Sequence, residues 1–413
     1  MDEVGGAGQR PQNRTMTEFG RRAFLRNGLV GGLGVSMFGG PAALALPAAS
    51  CGGADDYGPL DPPDANGVRL PRGFTSRIIA ESGSEVASTG HVWHTDPDGG
   101  ATFATSDGGW VYVSNSEESN NAGGVGAVRF DPAGNIVDAY SILEGTSRNC
   151  AGGPTPWRTW LSCEEVSSGE VYECNPFLPG SSGQVRPLMG KFNHEAAAVD
   201  QVTRRVFLTE DRGNGLLYRF TPTHWPDLSA GVLEAAEVLD PAGDGPIAPR
   251  EVRRLAWHVV PDPTVSMGTS TRFQVPAATR FDGGEGAWVE KGVLYFSTKG
   301  DSRVWCLAPS SDKIRILYDR ATSPTPILSG LDNVFVTPCG DVLVAEDGGN
   351  MEIVALTPSG NVLRILRVAG NPGSEITGPA LSPDGTRLYF SSQRNPGRTF
   401  EVSGPFLGPG GNG

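Results

Sequence analysis

Short runs of β-branched, aromatic and aliphatic residues recur along this chain, and each run ends on acidic or polar positions. They read Trp110-Val-Tyr-Val-Ser-Asn-Ser-Glu117, Arg158-Thr-Trp-Leu-Ser-Cys-Glu-Glu165 and Arg205-Val-Phe-Leu-Thr-Glu-Asp211. Further on come Val293-Leu-Tyr-Phe-Ser-Thr-Lys-Gly-Asp301, Asp341-Val-Leu-Val-Ala-Glu-Asp347 and Arg387-Leu-Tyr-Phe-Ser-Ser-Gln-Arg394. Length and β-branched content assign these runs to strands rather than helices. Between them stand turn signals, Asp131-Pro-Ala-Gly, Thr357-Pro-Ser-Gly and Ser382-Pro-Asp-Gly, whose Pro and Gly pre-set turn dihedrals.

The runs begin at residues 110, 158, 205, 293, 341 and 387, and most intervals fit four short antiparallel strands with their turns. That is the period of one blade of a β-propeller. The expected fold is therefore all-β, a six-bladed propeller over residues 66–413, with an insertion near residues 221–281 where one interval is almost doubled. A second run follows the first in Gly215-Leu-Leu-Tyr-Arg-Phe, Ser302-Arg-Val-Trp-Cys-Leu and Met351-Glu-Ile-Val-Ala-Leu, consistent with successive strands of one blade. If each repeated run is the strand beside the axis, its polar end opens on a common channel. A two-sheet sandwich does not predict a repeated acidic strand end.

The first fifty residues differ in kind. Thr17-Glu-Phe-Gly-Arg-Arg-Ala-Phe-Leu-Arg26 leads into a weakly apolar, Gly-rich stretch, too short and glycine-rich for a membrane span. This pattern resembles a twin-arginine export signal, so the expected partner is the twin-arginine machinery and the expected location is periplasmic or extracellular. Cleavage is expected after Ala45, or before Cys51 with a lipid anchor there as the alternative; residues 51–65 read as linker. Nothing after residue 50 is apolar enough to span a bilayer.

Charge sharpens this picture. The formal net charge is −13; residues 1–50 hold five arginines against Asp2, Glu3 and Glu18, so the remainder is more acidic still. Such a surface repels nucleic acid and suits cations. No feature calls for a protein partner, and a monomer is expected.

The strand ends and nearby segments supply Glu117, Glu164, Glu165, Glu195, Glu210, Asp211, Glu285, Asp301, Glu346 and Asp347 as oxygen donors. Singly they are ordinary solvated acids. Gathered in one funnel they repel one another unless cations sit between them, and calcium tolerates such irregular oxygen cages. Cys163, at a strand end where other repeats place acids or amides, adds a soft ligand suited to iron; a buried structural thiol or a disulfide to Cys150 or Cys174 are the alternatives. Five histidines are too scattered for a zinc hydrolase, and His194 lacks a second histidine four residues on. There is no phosphate-binding Lys-Ser/Thr loop and no Gly-x-Ser-x-Gly elbow.

The segments Thr146-Ser-Arg-Asn-Cys-Ala-Gly-Gly-Pro-Thr-Pro-Trp157, Trp160-Leu-Ser-Cys-Glu-Glu165, His194-Glu-Ala-Ala-Ala-Val-Asp200, Glu285-Gly-Ala-Trp288, Leu331-Asp-Asn-Val334 and Val344-Ala-Glu-Asp-Gly-Gly349 together resemble the PhoX-type alkaline phosphatase family. The resemblance implies an exported six-bladed propeller that hydrolyses phosphomonoesters with Fe3+ and Ca2+ in its channel. It implies Cys163, Glu195, Glu285 and Asp347 as ligands of the iron centre. Glu164, Glu210, Asp211 and Glu346 would serve calcium or its surroundings. Three positions depart from the family: Ser116 and Arg158 stand where it commonly has histidine and glycine, and Gly283 where it often has a phosphate-clamping arginine. Loss of a bidentate guanidinium weakens anion binding, so Lys299, Arg280 or Arg158 is expected to supply the cation, with Glu195, Lys299 and Arg280 as the catalytic set. A calcium-dependent lactonase, or a non-catalytic metal-binding propeller, is the alternative reading.

Overall fold

A computed structural model of the chain describes residues 1, 57–239, 247, 251–347 and 349–406. The twin-arginine segment, both cleavage sites and Cys51 lie outside the described residues. No helix among them is long and apolar enough to cross a membrane.

Among the described residues, the strands form six four-stranded antiparallel blades, the fifth widened by a short outer strand, Val68–Arg69, paired with Val362–Val368. Blade 1 is Pro97–Ala104, Trp110–Ser116, Gly123–Phe130 and Ile136–Thr146; blade 2 is Asn149–Pro154, Trp160–Glu164, Val171–Cys174 and Gln184–Val185. Blade 3 is His194–Asp200, Arg205–Glu210, Leu217–His224 and Asp227–Leu239; blade 4 is Gly284–Glu290, Val293–Thr298, Arg303–Ala308 and Lys313–Asp319. Blade 5 is Leu331–Val336, Val342–Glu346, Glu352–Leu356 and Val362–Val368. Blade 6 takes Ile376–Leu381, Arg387–Ser392 and Arg398–Ser403 from the end of the chain and its outermost strand, Thr75–Glu81, from the start. That pairing closes the ring and removes an open edge.

The first strands of the six blades touch in sequence, and the first strand of blade 6 returns to that of blade 1. The repeated runs of the sequence are thus the second strand of each blade, not the strand beside the axis. Their apolar residues are buried on both sides, as in Trp110-Val-Tyr-Val and Val293-Leu-Tyr-Phe, because each blade stacks face to face on its neighbours. The inner strands carry small residues because they approach backbone to backbone. A Cβ at Gly153 would lie 1.8 Å from the Ala197 carbonyl oxygen, and one at Gly286 2.4 Å from the Val334 nitrogen.

Turn chemistry follows the sequence closely. Asp131 Oδ1 accepts the backbone N–H of Ala133 and of Asn135 at 2.9 and 2.8 Å, while the hydroxyls of Thr357 and Ser382 accept the N–H groups of Asn361 and Arg387. Each side chain thereby stands in for a missing backbone partner.

The expected insertion at 221–281 is in part a ribbon. Asp227–Leu239 runs on to pair with Arg253–Val259, which in turn meets Lys313–Asp319, so blades 3 and 4 share one nine-stranded sheet. The chain then returns towards the axis and docks through Thr271 Oγ1, which donates to the Lys191 carbonyl at 2.7 Å, and Arg272 Nη1, 2.6 Å from Glu210 Oε1. Glu210 is fully buried. Removing the guanidinium strands that charge, so Arg272→Met is expected to cost about 3 kcal/mol of stability, read as a lower denaturant midpoint. Residues 57–65, expected as linker, are held to the propeller: Leu60 bridges Pro71, and Tyr57 packs with Phe74, which meets Phe406 edge-on.

Candidate metal and phosphate site

A β-bulge opens the inner strand of every blade. Pairing with the second strand jumps from Pro97 to Gly100, Asn149 to Gly152, His194 to Ala197, Gly284 to Ala287, Leu331 to Val334 and Thr377 to Ala380. The extra residue re-aims the side chain that follows the first pair. Those residues are Asp98, Cys150, Glu195, Glu285, Asp332 and Gly378. The first five line one cavity of about 130 Å³ and are almost wholly buried.

A second tier comes from the residue just past the second strand of each blade: Glu117, Glu165, Asp211, Lys299, Asp347 and Gln393. The first five also line the cavity, joined by Arg148, Glu375 and Arg394. Gln393 donates from Nε2 to Asp98 Oδ2 at 2.6 Å and to Glu117 Oε2 at 3.0 Å.

Strand parity sorts the sequence candidates. Glu195, Glu285, Asp211, Asp347 and Lys299 converge on the cavity as expected. Glu164, Glu210 and Glu346 do not, because each precedes a cavity residue by one position and its side chain turns the other way. They satisfy loop backbones instead: Glu164 accepts from the N–H of Ser147 and Glu170, Glu346 from Ser329, and Glu210 from Leu216, the Tyr218 hydroxyl and Arg272. Cys163 is corrected as well, for a different reason: it shares the parity of Glu165 but lies one residue pair further back along its strand, away from the cavity. It packs in an apolar cluster with Leu161, Val171 and Met189, and burial pushes its thiol pKa up. The thiol at the site is Cys150, and Cys150, Cys163 and Cys174 are all free. Arg280 is also outside the cavity, donating to the carbonyls of Arg272 and Asn214. Arg158 sits on the hairpin between the first two strands of blade 2, over Phe177. Asp301 pairs with Arg303 at 2.9 Å. His194 is stacked on Phe192 and bonded to the Gly190 carbonyl, as a packed histidine should be.

Sequence reasoning misses Asp98, Asp332, Glu375, Arg148 and Arg394 as site residues. It reaches Cys150 only as a possible disulfide partner and leaves Glu165 among undifferentiated acids. One signal could have found the inner ring: in several blades an acid or cysteine precedes small residues, as in Asp98-Gly-Gly and Cys150-Ala-Gly-Gly.

The electrostatics are those of crowded, buried acids. Donor atoms form three overlapping groups, Asp98–Glu117–Cys150, Cys150–Glu165–Glu195 and Glu195–Glu285–Asp332, each within 4.8 Å. Cys150 and Glu195 each belong to two of these groups. Burial, reinforced by adjacent acids, raises the pKa of Asp98, Glu195 and the Cys150 thiol. Burial likewise lifts Glu165 and Asp332 to about 7 and Glu375 to about 9, the last helped by Asp332 and Asp347. Burial alone would lower the pKa of Lys299, but Glu285, Asp332 and Asp347 reverse it, and the ammonium stays charged. Its Nζ lies 2.9 Å from Glu285 Oε1 and 3.1 Å from Asp347 Oδ2.

These shifts set a pH dependence. An acid whose pKa is raised by folding holds a proton that the unfolded chain releases, so its contribution is complete at low pH and is lost as pH climbs through the folded value. The metal-free protein is therefore expected to melt several degrees lower at pH 9 than at pH 6, at about 2–4 °C per kcal/mol. Cations that neutralise the acids should flatten that slope in a thermal scan.

The family model described as alkaline phosphatase PhoX matches residues 97–171, 167–322 and 309–397. Among solved structures, Pseudomonas fluorescens PhoX in complex with vanadate, a transition state analogue, is similar at a TM-score of 0.71 and 17% identity, covering 86% of this chain and 98% of that one. A gluconolactonase from Xanthomonas campestris is similar at a TM-score of 0.48 and 11% identity, covering 84% of this chain and 98% of its own. No curated protein matches the chain.

Proposed function

The chain belongs to the PhoX alkaline phosphatase family, and from that premise we propose that its axial cavity hydrolyses phosphate monoesters with the aid of bound metal ions. The observation that carries this reading is the two-tier ring, whose eight carboxylates and one thiol, joined by Glu375, surround a cavity that also holds three cationic side chains.

The residues fit a metal cluster. Glu195 is buried, and its Oε1 has no hydrogen-bond partner, an arrangement too costly to keep for an anion without a cation beside it. Asp98, Glu195, Glu285 and Asp332, with Glu165, Asp211 and Asp347 further out, offer hard oxygen donors of the kind calcium takes. Cys150 among them supports iron as a companion. Bound cations there supply positive charge to phosphate oxygens and lower the pKa of a water.

The chain's own groups complete the site. Lys299 carries the cationic role vacated at Gly283, whose Cβ, if present, would lie 3.5 Å from that of Lys299. Its ammonium faces the cavity between Glu285 and Asp347 and offsets charge that builds on the phosphoryl oxygens. Gln393 fixes the orientation of Asp98 and Glu117. A lactonase working through one calcium has no use for so many donors.

Export by the twin-arginine route and a periplasmic or extracellular location belong to the same proposal, supported by residues 17–46 of the sequence. The test is hydrolysis of p-nitrophenyl phosphate against bis(p-nitrophenyl) phosphate by the metal-loaded protein. Monoester turnover with the diester left intact is expected; no monoester turnover would overturn the reading.

A further inference from the structure

The charges of the cavity are layered. The carboxylates on the bulges are almost wholly buried, whereas the side chains of Arg148 and Arg394 are each 41% exposed and stand at the mouth. Both are fastened to one acid. Arg148 donates through Nε and Nη2 to Glu117 Oε1 at 3.0 and 2.6 Å, and Arg394 Nη2 approaches Glu117 Oε2 at 3.5 Å. Each reaches a further acid as well, Arg148 to Glu165 at 2.6 Å and Arg394 to Glu375 at 2.5 Å.

These contacts hold the two guanidiniums against the two oxygens of one carboxylate and leave part of each unused. Among the described residues, Nη1 of Arg148 and both Nε and Nη1 of Arg394 donate no hydrogen bond. Two half-exposed guanidiniums with spare, roughly fixed donors match a carboxylate or a phosphate better than any neutral group. The mouth of a cavity whose floor binds a phosphoryl group is where the alcohol portion of an ester must emerge.

We propose that Arg148 and Arg394 form an anion clip that selects phosphomonoesters whose alcohol portion carries a second negative group, a carboxylate or another phosphate, a few bonds from the ester oxygen. The inference rests on the phosphatase reading for what fills the floor, and adds the substrate class. Neither arginine needs to touch the reacting phosphorus; both determine specificity. Glu117, held from both sides, is the post that sets their spacing.

The test is calorimetric titration of the metal-loaded protein with three phosphonates that cannot be hydrolysed: propylphosphonate, 3-phosphonopropionate and propane-1,3-bisphosphonate. The clip predicts that one or both anion-tipped ligands bind at least about tenfold more tightly than the methyl-tipped one, and which of the two does so tells carboxylate from phosphate. The preference should shrink to about twofold or less in Arg394→Gln and recover in part in Arg394→Lys. Equal binding of all three by the wild type would overturn the clip, as would a full preference kept by Arg394→Gln. p-Nitrophenyl phosphate turnover on the same sample separates the two claims. Turnover without anion preference removes the clip alone, and anion preference without turnover removes the phosphatase reading alone.

Discussion

Cys150→Ser is expected to lower kcat/KM for p-nitrophenyl phosphate by more than about a hundredfold, since even a residue supporting a metal ligand typically costs 10–100-fold. It should also reduce the metal that co-purifies with the chain. Cys150 is shared by two of the three donor groups, and its sulfur lies 3.6 Å from Asp98 Oδ2. Serine offers a hydroxyl that does not ionise near neutral pH and binds a soft metal poorly. Cys163→Ser is the matched control. That change buries a hydroxyl in an apolar cluster, costing about 1–3 kcal/mol of stability, and should leave metal content and the turnover of the folded protein as they were. Loss of metal from Cys163→Ser with retention in Cys150→Ser would reverse the assignment.

Glu195→Gln should separate function from stability. Glu195 belongs to two donor groups, and its carboxylate is crowded by Glu285, Asp332, Glu165 and Asp98. Glutamine neither ionises among those acids nor has to take up a proton on folding, so the metal-free variant is expected to melt a few degrees higher than metal-free wild type at pH 8, at about 2–4 °C per kcal/mol. The metal-loaded variant should melt lower than loaded wild type, because a ligand that binds only the folded state stabilises by its affinity. Activity should fall by more than about a hundredfold. Equal melting of the two metal-free proteins would show that Glu195 is not strained by its neighbours.

These two positions show how far the sequence could be read. The blade repeat was legible because strand runs and turn residues share one period, and Asp131, Thr357 and Ser382 perform the turns their chemistry implies. That acids gather at one end was legible too. Which acid of a pair faces the cavity was not. In Glu164-Glu165, Glu210-Asp211 and Glu346-Asp347 the two side chains take opposite sides of a strand end, and a one-residue error in register exchanges them. The inner ring was hidden further, because a bulge in each inner strand breaks the alternation that would have pointed to Asp98, Cys150 and Asp332. Cys163 drew attention by sitting in a recurrent run. Cys150, before a small-residue pair in the preceding strand, has the position that matters. Gly378 occupies the equivalent place in blade 6, so the ring is open there; Lys299 and Arg394 fall in repeated runs that elsewhere end in acids, whereas Arg148 precedes an inner strand with no repeat to mark it.

The central claim is that the two-tier ring is a metal-dependent phosphomonoesterase centre. It is tested most directly by p-nitrophenyl phosphate turnover of one purified sample as isolated, after exhaustive chelation, and after return of iron and calcium, with bound metal counted at each stage. The ring predicts more than one ion per chain in the active sample, loss of turnover with the ions and recovery with their return. Turnover that persists in fully stripped protein would contradict it.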